Sequence, residues 1–461
     1  MKKSAIVLLL AVTMLGLGCG SNSSSSGGQN NQPGNVFVTG EDAPLASVVS
    51  FNVTLNSITL NGQDGTTATV LSTPTTVDFA RLIGLRSPLS FNSVAPDTYI
   101  SATFVLANPV IDYVTLTPSP AVTTLNATFP NNQNPYTMTV KFPTAMVVGS
   151  NGLAGLKMEM DIRDSVAVDG NGDITGAVNP VIFVKATKAS DPDGQVTDLT
   201  GGLVSVSTNS FVIQGPYGRQ LTVDVNSSTV FNSGWSMSNL ATPAIIGVQG
   251  YFQADGTLMA DHVEVITIAH SFVSGRILAL NGSGASETVT MWVGETGADM
   301  VSDVDTIQTI TIGAVTNYEV CFFDNALTQF VFSDSSDLIV GQRIFIGGSF
   351  SDGTFTPTMI SLRRQGVYGT FNLGSVTVTN GNAGSFTIAN NGLAGYTTNG
   401  TVTVDTFNGT VFFNLTGLNQ LESETTAIPI IARGLLLKDP TSGNPTFYAG
   451  WVADPPQPSG N

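Results

Sequence analysis

Histidine and cysteine, which carry much of metal and nucleophile chemistry, are nearly missing: two of each occur in 461 residues. The sequence has no H-E-x-x-H, C-x-x-C or G-x-S-x-G, no P-loop and no dinucleotide fingerprint, so it offers no motif for zinc, serine-hydrolase or nucleotide chemistry. Charge is scarce as well. Charged residues make up 11% of the chain, with 16 basic against 33 acidic and a net of −17. A phosphate backbone needs a basic face, so nucleic acid is not an expected partner, and charge alone would not hold the chain to an anionic membrane. What the sequence does have is glycine, 49 residues of it, and 42% apolar residues, enough to build cores. This is a composition for many short strands and tight turns.

Met1-Lys2-Lys3 is a basic start, and Ala5 to Gly18 is an apolar run of fourteen residues. A spanning helix needs about twenty, so the run reads as a cleaved signal peptide. Removing Lys2 and Lys3 takes the basic residues from 16 to 14 against 33 acidic, a net of −19. L-G-L-G-C resembles the bacterial lipobox, with Gly16 where leucine is usual. That resemblance implies that Cys19 is lipidated and becomes the mature N-terminus, anchoring the chain to membrane through its lipid. Gly20, rather than Asp, implies outer-membrane sorting. The polar stretch after Cys19 reads as a flexible tether. The alternative is an ordinary secretory signal with an incidental cysteine. With Cys19 lipidated, Cys321 has no disulfide partner and is expected to be a small buried apolar residue.

Beyond the tether the pattern has period two. Val49, Phe51, Val53 and Leu55 fall on one strand face; Ile100, Ala102, Phe104 and Leu106 on another. Leu156, Met158, Met160 and Ile162 alternate with Lys157, Glu159, Asp161 and Arg163, which are expected to face out. T-V-D-F-A-R-L-I-G has room for one short helix. Residues 36–188 therefore read as an antiparallel, Ig-like β-sandwich. The strings S-F-N-V-T-L-N-S-I-T-L, T-V-D-F-A-R-L and A-P-D-T-Y-I-S-A-T-F-V-L resemble an uncharacterised domain family of bacterial lipoproteins. That resemblance implies a transthyretin-like or carbohydrate-binding-like sandwich and carries over no catalytic residue.

After a linker at 189–199, the chain repeats itself. L-T-V-D-V-N-S-S-T-V-F (Leu221–Phe231) returns as V-T-V-D-T-F-N-G-T-V-F (Val402–Phe412), with I-T-I-G-A-V-T-N-Y-E-V between them. Each copy follows a Gly-led strand and precedes a hairpin. In the first two copies that hairpin turns on Asp255-Gly256 and Asp352-Gly353, expected at positive φ. Three modules follow, at 200–268, 269–365 and 366–453, with a disordered tail at 454–461. They resemble a second uncharacterised bacterial family of small closed OB-like β-barrels. Units of this length are expected as independent beads.

Candidate sites are few. Asp169, Asn171 and Asp173 in D-G-N-G-D imitate the start of a calcium loop, although Ile174 replaces the required glycine, and a hairpin turn explains the string equally well. Asp191 and Asp193 make a weaker pair of the same kind. His262 is expected on a solvent face; Trp235, Trp292 and Trp451 are expected in cores, with a sugar-stacking platform as the alternative. No cofactor is implied. The expected function is non-catalytic binding or adhesion at the cell envelope, with a glycan or envelope component as partner. The alternatives are a structural spacer or assembly lipoprotein and, third, a carbohydrate-active enzyme. A concave face with exposed aromatics favours binding, and two carboxyls about 5–10 Å apart in a cleft would favour hydrolysis.

Overall fold

The structure is a computed structural model that describes residues 32–43, 48–82, 85–115, 119–170, 173–215, 219–268, 271–297, 299–321, 330–390 and 400–454. The signal, Cys19, Asn171 and His270 lie outside these residues. The chain is all-β, as the alternation predicts.

Two sheets form the sandwich. The first runs β12 (Ile182–Thr187), β9 (Leu153–Asp161), β1 (Gly34–Ala43), β5 (Ser87–Val94). The second runs β3 (Thr67–Leu71), β2 (Val48–Gly62), β6 (Asp97–Thr115), β7 (Ala121–Asn126), with β4 (Thr75–Asp78) on β2 and β8 (Tyr136–Val148) on β6. Pairing is antiparallel except between β1 and β9, which run parallel. β10 (Val166–Val168) and β11 (Ile174–Val178) form a separate hairpin. The expected short helix is a single 3-10 turn, Phe79–Arg81. Phe51, Val53, Leu55, Phe104, Leu106, Leu156 and Met158 are fully buried between the sheets. Each such side chain contributes roughly 1.5–3 kcal/mol.

Two bulges depart from strict alternation. Register shifts between Val48 and Ser50, and again between Tyr99 and Ser101. Each extra residue moves its neighbours to the other face. Val48 therefore joins the core while Val49 packs outside it, and Tyr99 is buried while Ile100 is 43% exposed.

The three modules share one strand plan. Module 1 is β13 (Val196–Val206), β14 (Ser210–Gln214), β15 (Gln220–Asp224), β16 (Val230–Phe231), β17 (Ile245–Phe252) and β18 (Leu258–Thr267). β13 begins inside the stretch expected as a linker. β15 pairs with β18 in parallel and closes a five-stranded ring, β13-β14-β15-β18-β17. Module 2 is β19 (Ser271–Asn281), β20 (Thr288–Thr296), β21 (Thr306–Thr311), β22 (Asn317–Val320), β23 (Arg343–Ser351) and β24 (Thr354–Leu362). Here the third strand is split: β21 pairs with β20, and β22 pairs in parallel with β24. Module 3 is β25 (Gln365–Phe371), β26 (Thr377–Asn380), β27 (Ala383–Asn390), β28 (Thr401–Phe413), β29 (Pro429–Lys438) and β30 (Pro445–Ala453), closed by β25–β27 pairing.

One glycine recurs in the fourth strand of all three. At Gly250, Gly348 and Gly434 a Cβ would lie 2.0, 2.2 and 1.9 Å from the carbonyl oxygens of Met259, Thr356 and Tyr448. Ladder register shifts beside each. Only glycine permits that backbone approach.

The modules are not beads. All described residues belong to one compact unit. Phe37 of the sandwich stacks on Phe252 of module 1 with ring centroids 5.1 Å apart, and Phe91 of the sandwich packs tilted against the same ring at 5.7 Å. Trp292 and Leu278 of module 2 pack against Val114 of the sandwich. Ile245 and Ile266 of module 1 meet Phe272, Phe345 and Met359 of module 2. Leu435, Leu437 and Tyr448 of module 3 complete the core of module 2.

Candidate functional site

The polar face of β9 lies against other parts of the chain. Lys157, Glu159 and Asp161 do alternate with the core residues, but what they face is protein. Lys157 Nζ lies 2.6 Å from Glu41, 3.7 Å from Glu159 and 3.8 Å from Asp193. Asp193, one of the weaker calcium candidates, is buried and also holds Arg86 at 3.2 Å and Lys185 at 2.6 Å. Burial pushes its pKa up, but Lys157, Lys185 and Arg86 outweigh burial and hold it below the ordinary carboxylate value. Burial pushes Glu159 well up, against the attraction of Lys157 and with repulsion from Glu41, Asp161 and Asp193. A second buried pair, Arg363–Glu264 at 2.8 Å, joins modules 1 and 2. Breaking such a pair on one side typically costs about 3–5 kcal/mol.

The expected calcium residues form a turn. Asp173 N donates to Asp169 Oδ1 at 3.0 Å, and Asp169 N donates to Asp173 O at 2.9 Å. Among the described residues no group of three or more His, Cys, Asp or Glu is placed to hold a metal. Cys321 is buried, and desolvation raises its thiol pKa.

The repeated eleven-residue string is the third strand, kinked in its middle. In module 1 it pairs Val223 with Leu258, leaves the ladder, and returns to pair Val230 with His262. In module 3 it pairs Thr406 with Ala449, leaves, and returns to pair Val411 with Trp451. One threonine secures each kink. Thr229 Oγ1 accepts from Asn226 N at 3.0 Å and donates to Ala260 O at 2.7 Å. Thr410 Oγ1 accepts from Phe407 N at 2.8 Å and donates to Ala449 O at 2.7 Å. By ladder position Thr316 occupies the same place in module 2, where the strand is split.

Both kinks open onto one cleft of about 570 Å³ between modules 1 and 3. Equivalent residues line its two walls: Ser228 and Gly409, Val230 and Val411, Gln249 and Arg433, His262 and Trp451. Val230 and Val411 are 47% and 52% exposed, unusual for valines on paired strands. Thr197 and Arg364 also line it: Arg364 Nη2 donates to Thr197 O, and Gln249 Nε2 donates to the same oxygen at 2.9 Å. On the module 3 side, the Arg433 guanidinium lies 5.2 Å over Trp451, which stacks on Phe413 at 6.3 Å. Lys185 of the sandwich sits 5.0 Å over Phe413. Among the described residues Asp261 is the one carboxylate in the lining, and burial raises its pKa while His262 draws it down.

His262 is thus on the outer face of its strand, as the phase of Val263 and Val265 predicts, but that face looks onto module 3. Trp292 is in a core; Trp451 is half-buried and belongs to the cleft. Arg364, Arg433, Gln249 and Asp261 were not legible as site residues. Their signal was positional: each wall residue stands at the same ladder place in two repeats.

A family model described as a domain of unknown function (DUF4382) matches residues 34–175, the sandwich as far as the start of β11. A second, also a domain of unknown function (DUF5666), matches residues 193–264, nearly all of module 1. The chain is similar to both. No curated protein matches it.

Proposed function

We propose that this is a non-catalytic binding protein of the bacterial cell envelope, anchored by lipid at Cys19 in the outer membrane, with the cleft between modules 1 and 3 as its binding site and a glycan or envelope component as ligand. The observation that carries the reading is the paired lining. Two repeats turn equivalent faces toward one space, and each leaves a valine exposed there. Val230, Val411 and Trp451 stand among mostly polar and charged side chains, a mixture that suits the C–H faces and hydroxyls of an oligosaccharide. Among the described residues the lining holds one carboxylate, Asp261, where glycoside hydrolysis uses two. Compact packing of the modules argues against a strung-out spacer.

The test is to fill the cleft. Val230→Trp with Val411→Trp should abolish binding of the protein to glycan arrays or to purified envelope fractions. Binding that persists in the double variant would sink the cleft as the site. No binding by the unaltered chain would favour the spacer reading. In parallel, Cys19→Ala should move the protein from the membrane fraction to the soluble fraction.

A further inference from the structure

Resting on that reading, we propose that the ligand is an anionic saccharide, one carrying a carboxylate or a sulfate. The cleft is a cationic island in an acidic protein. The chain carries a net −17, yet among the described residues the cleft lining holds two arginines, Arg364 and Arg433, and one carboxylate, Asp261. The two cleft arginines are set at opposite sides, one beside Thr197 and one on the module 3 wall.

Their geometry is suited to an oxyanion. The Arg433 guanidinium sits 5.2 Å over the Trp451 ring, a cation–π contact that helps to hold it at the cleft wall. A guanidinium held that way meets a carboxylate or sulfate through two parallel N–H bonds, where a lysine would act as a point charge. Arg364 is oriented by its bond to the Thr197 carbonyl. Around these charges stand hydroxyl and amide groups, Ser228, Thr197 and Gln249, and the apolar Val230 and Val411, a mixture that fits a ring with hydroxyls and C–H faces. A volume of about 570 Å³ exceeds what a lone inorganic anion would fill. A nucleic acid strand would bring a charge at every phosphate toward a protein of net −17.

Calorimetry on the full chain tests this with three probes: tetragalacturonate, a sulfated chondroitin tetrasaccharide, and a neutral galactotetraose. We expect one of the two acidic probes, or both, to bind at least roughly tenfold tighter than the neutral one, as charge-assisted pairing implies. Arg433→Gln should remove that advantage, so that acidic and neutral probes bind alike. Arg433→Lys, which keeps the charge and loses the fork, should restore only part of it. Asp261→Asn should widen the preference for acidic over neutral probes by a few fold. Comparing the two acidic probes assigns carboxylate or sulfate. Equal binding of all three, lost when the cleft is filled, would overturn the anionic class and keep the cleft. Acidic binding that survives a filled cleft would overturn both.

Discussion

Asp78 caps the turn at Phe79–Arg81 with one carboxylate oxygen, which accepts from Phe51 N at 2.8 Å and from Ala80 N at 3.1 Å. Burial pushes its pKa up to about 6 from 3.8, even though Arg81 and the Phe51 N–H pull it down. A carboxylate whose pKa rises on folding binds more protons in the native state, so its contribution to stability falls as pH climbs between the unfolded and folded values. The shift corresponds to about 3 kcal/mol. Asn in place of Asp78 keeps an acceptor oxygen for both N–H groups and cannot ionise. Relative to Asp78→Asn, the unaltered protein should therefore lose about 3 kcal/mol of unfolding free energy from about pH 4 to about pH 7. Urea titrations at a series of pH values measure the difference, and parallel profiles would contradict the assignment. Asp193 works in the opposite sense: held below its ordinary value by Lys157, Lys185 and Arg86, it contributes stability that is lost at still lower pH.

At the scale of elements, the two D-G-T turns differ although their sequences match. In the second, Ser351 pairs with Thr354 and both Asp352 and Gly353 have positive φ, 52° and 74°, as a two-residue hairpin loop requires. In the first, Gly256 alone of the pair has positive φ, 89°, within a wider loop closed by Gln253 N to Thr257 O at 2.8 Å. Their surroundings differ further. A Cβ on Gly353 would meet nothing within 4 Å, whereas one on Gly256 would touch the Phe91 ring at 3.0 Å. Gly353→Ala should cost about 1–2 kcal/mol, the backbone penalty alone. Gly256→Ala should cost more, because it also presses on the sandwich. Equal losses in thermal melts would mean that Phe91 yields freely. Much of this level was legible in the sequence: the alternation of β9, the Gly-led hairpins and the repeated third strand all appear where the residues place them. What escaped was the bulges, since an extra residue at Val49 or Ile100 leaves composition unchanged while reversing the face. The destination of each outer face also escaped. Lys157, Glu159 and His262 are polar and correctly phased, and period two cannot distinguish a face covered by water from one covered by another module. For the same reason the cleft was hidden: its walls come from strings about 180 residues apart, recognisable as repeats but not as neighbours.

For the whole molecule, shared cores make separate unfolding unfavourable. Each module contains one tryptophan: Trp235 in module 1, Trp292 in module 2 and Trp451 in module 3. Three variants, each retaining one tryptophan with the others changed to Phe, would report on each module by fluorescence. We expect the three transitions to coincide with each other and with loss of β circular dichroism, and a fragment spanning Val196–Thr267 to be much less stable than the same residues in the full chain. Three separated midpoints would restore independent beads. A glutamate-to-leucine change at 264 should lower the shared midpoint for all three probes, since it strands Arg363 inside the seam at a cost of about 3–5 kcal/mol. The cleft adds a consequence in time. The module 1 residues of its lining have left the ribosome once His262 is out; the facing wall waits for Trp451. On the reading proposed above, a nascent or prematurely stopped chain therefore carries one wall of its site and cannot bind until Trp451 has been made.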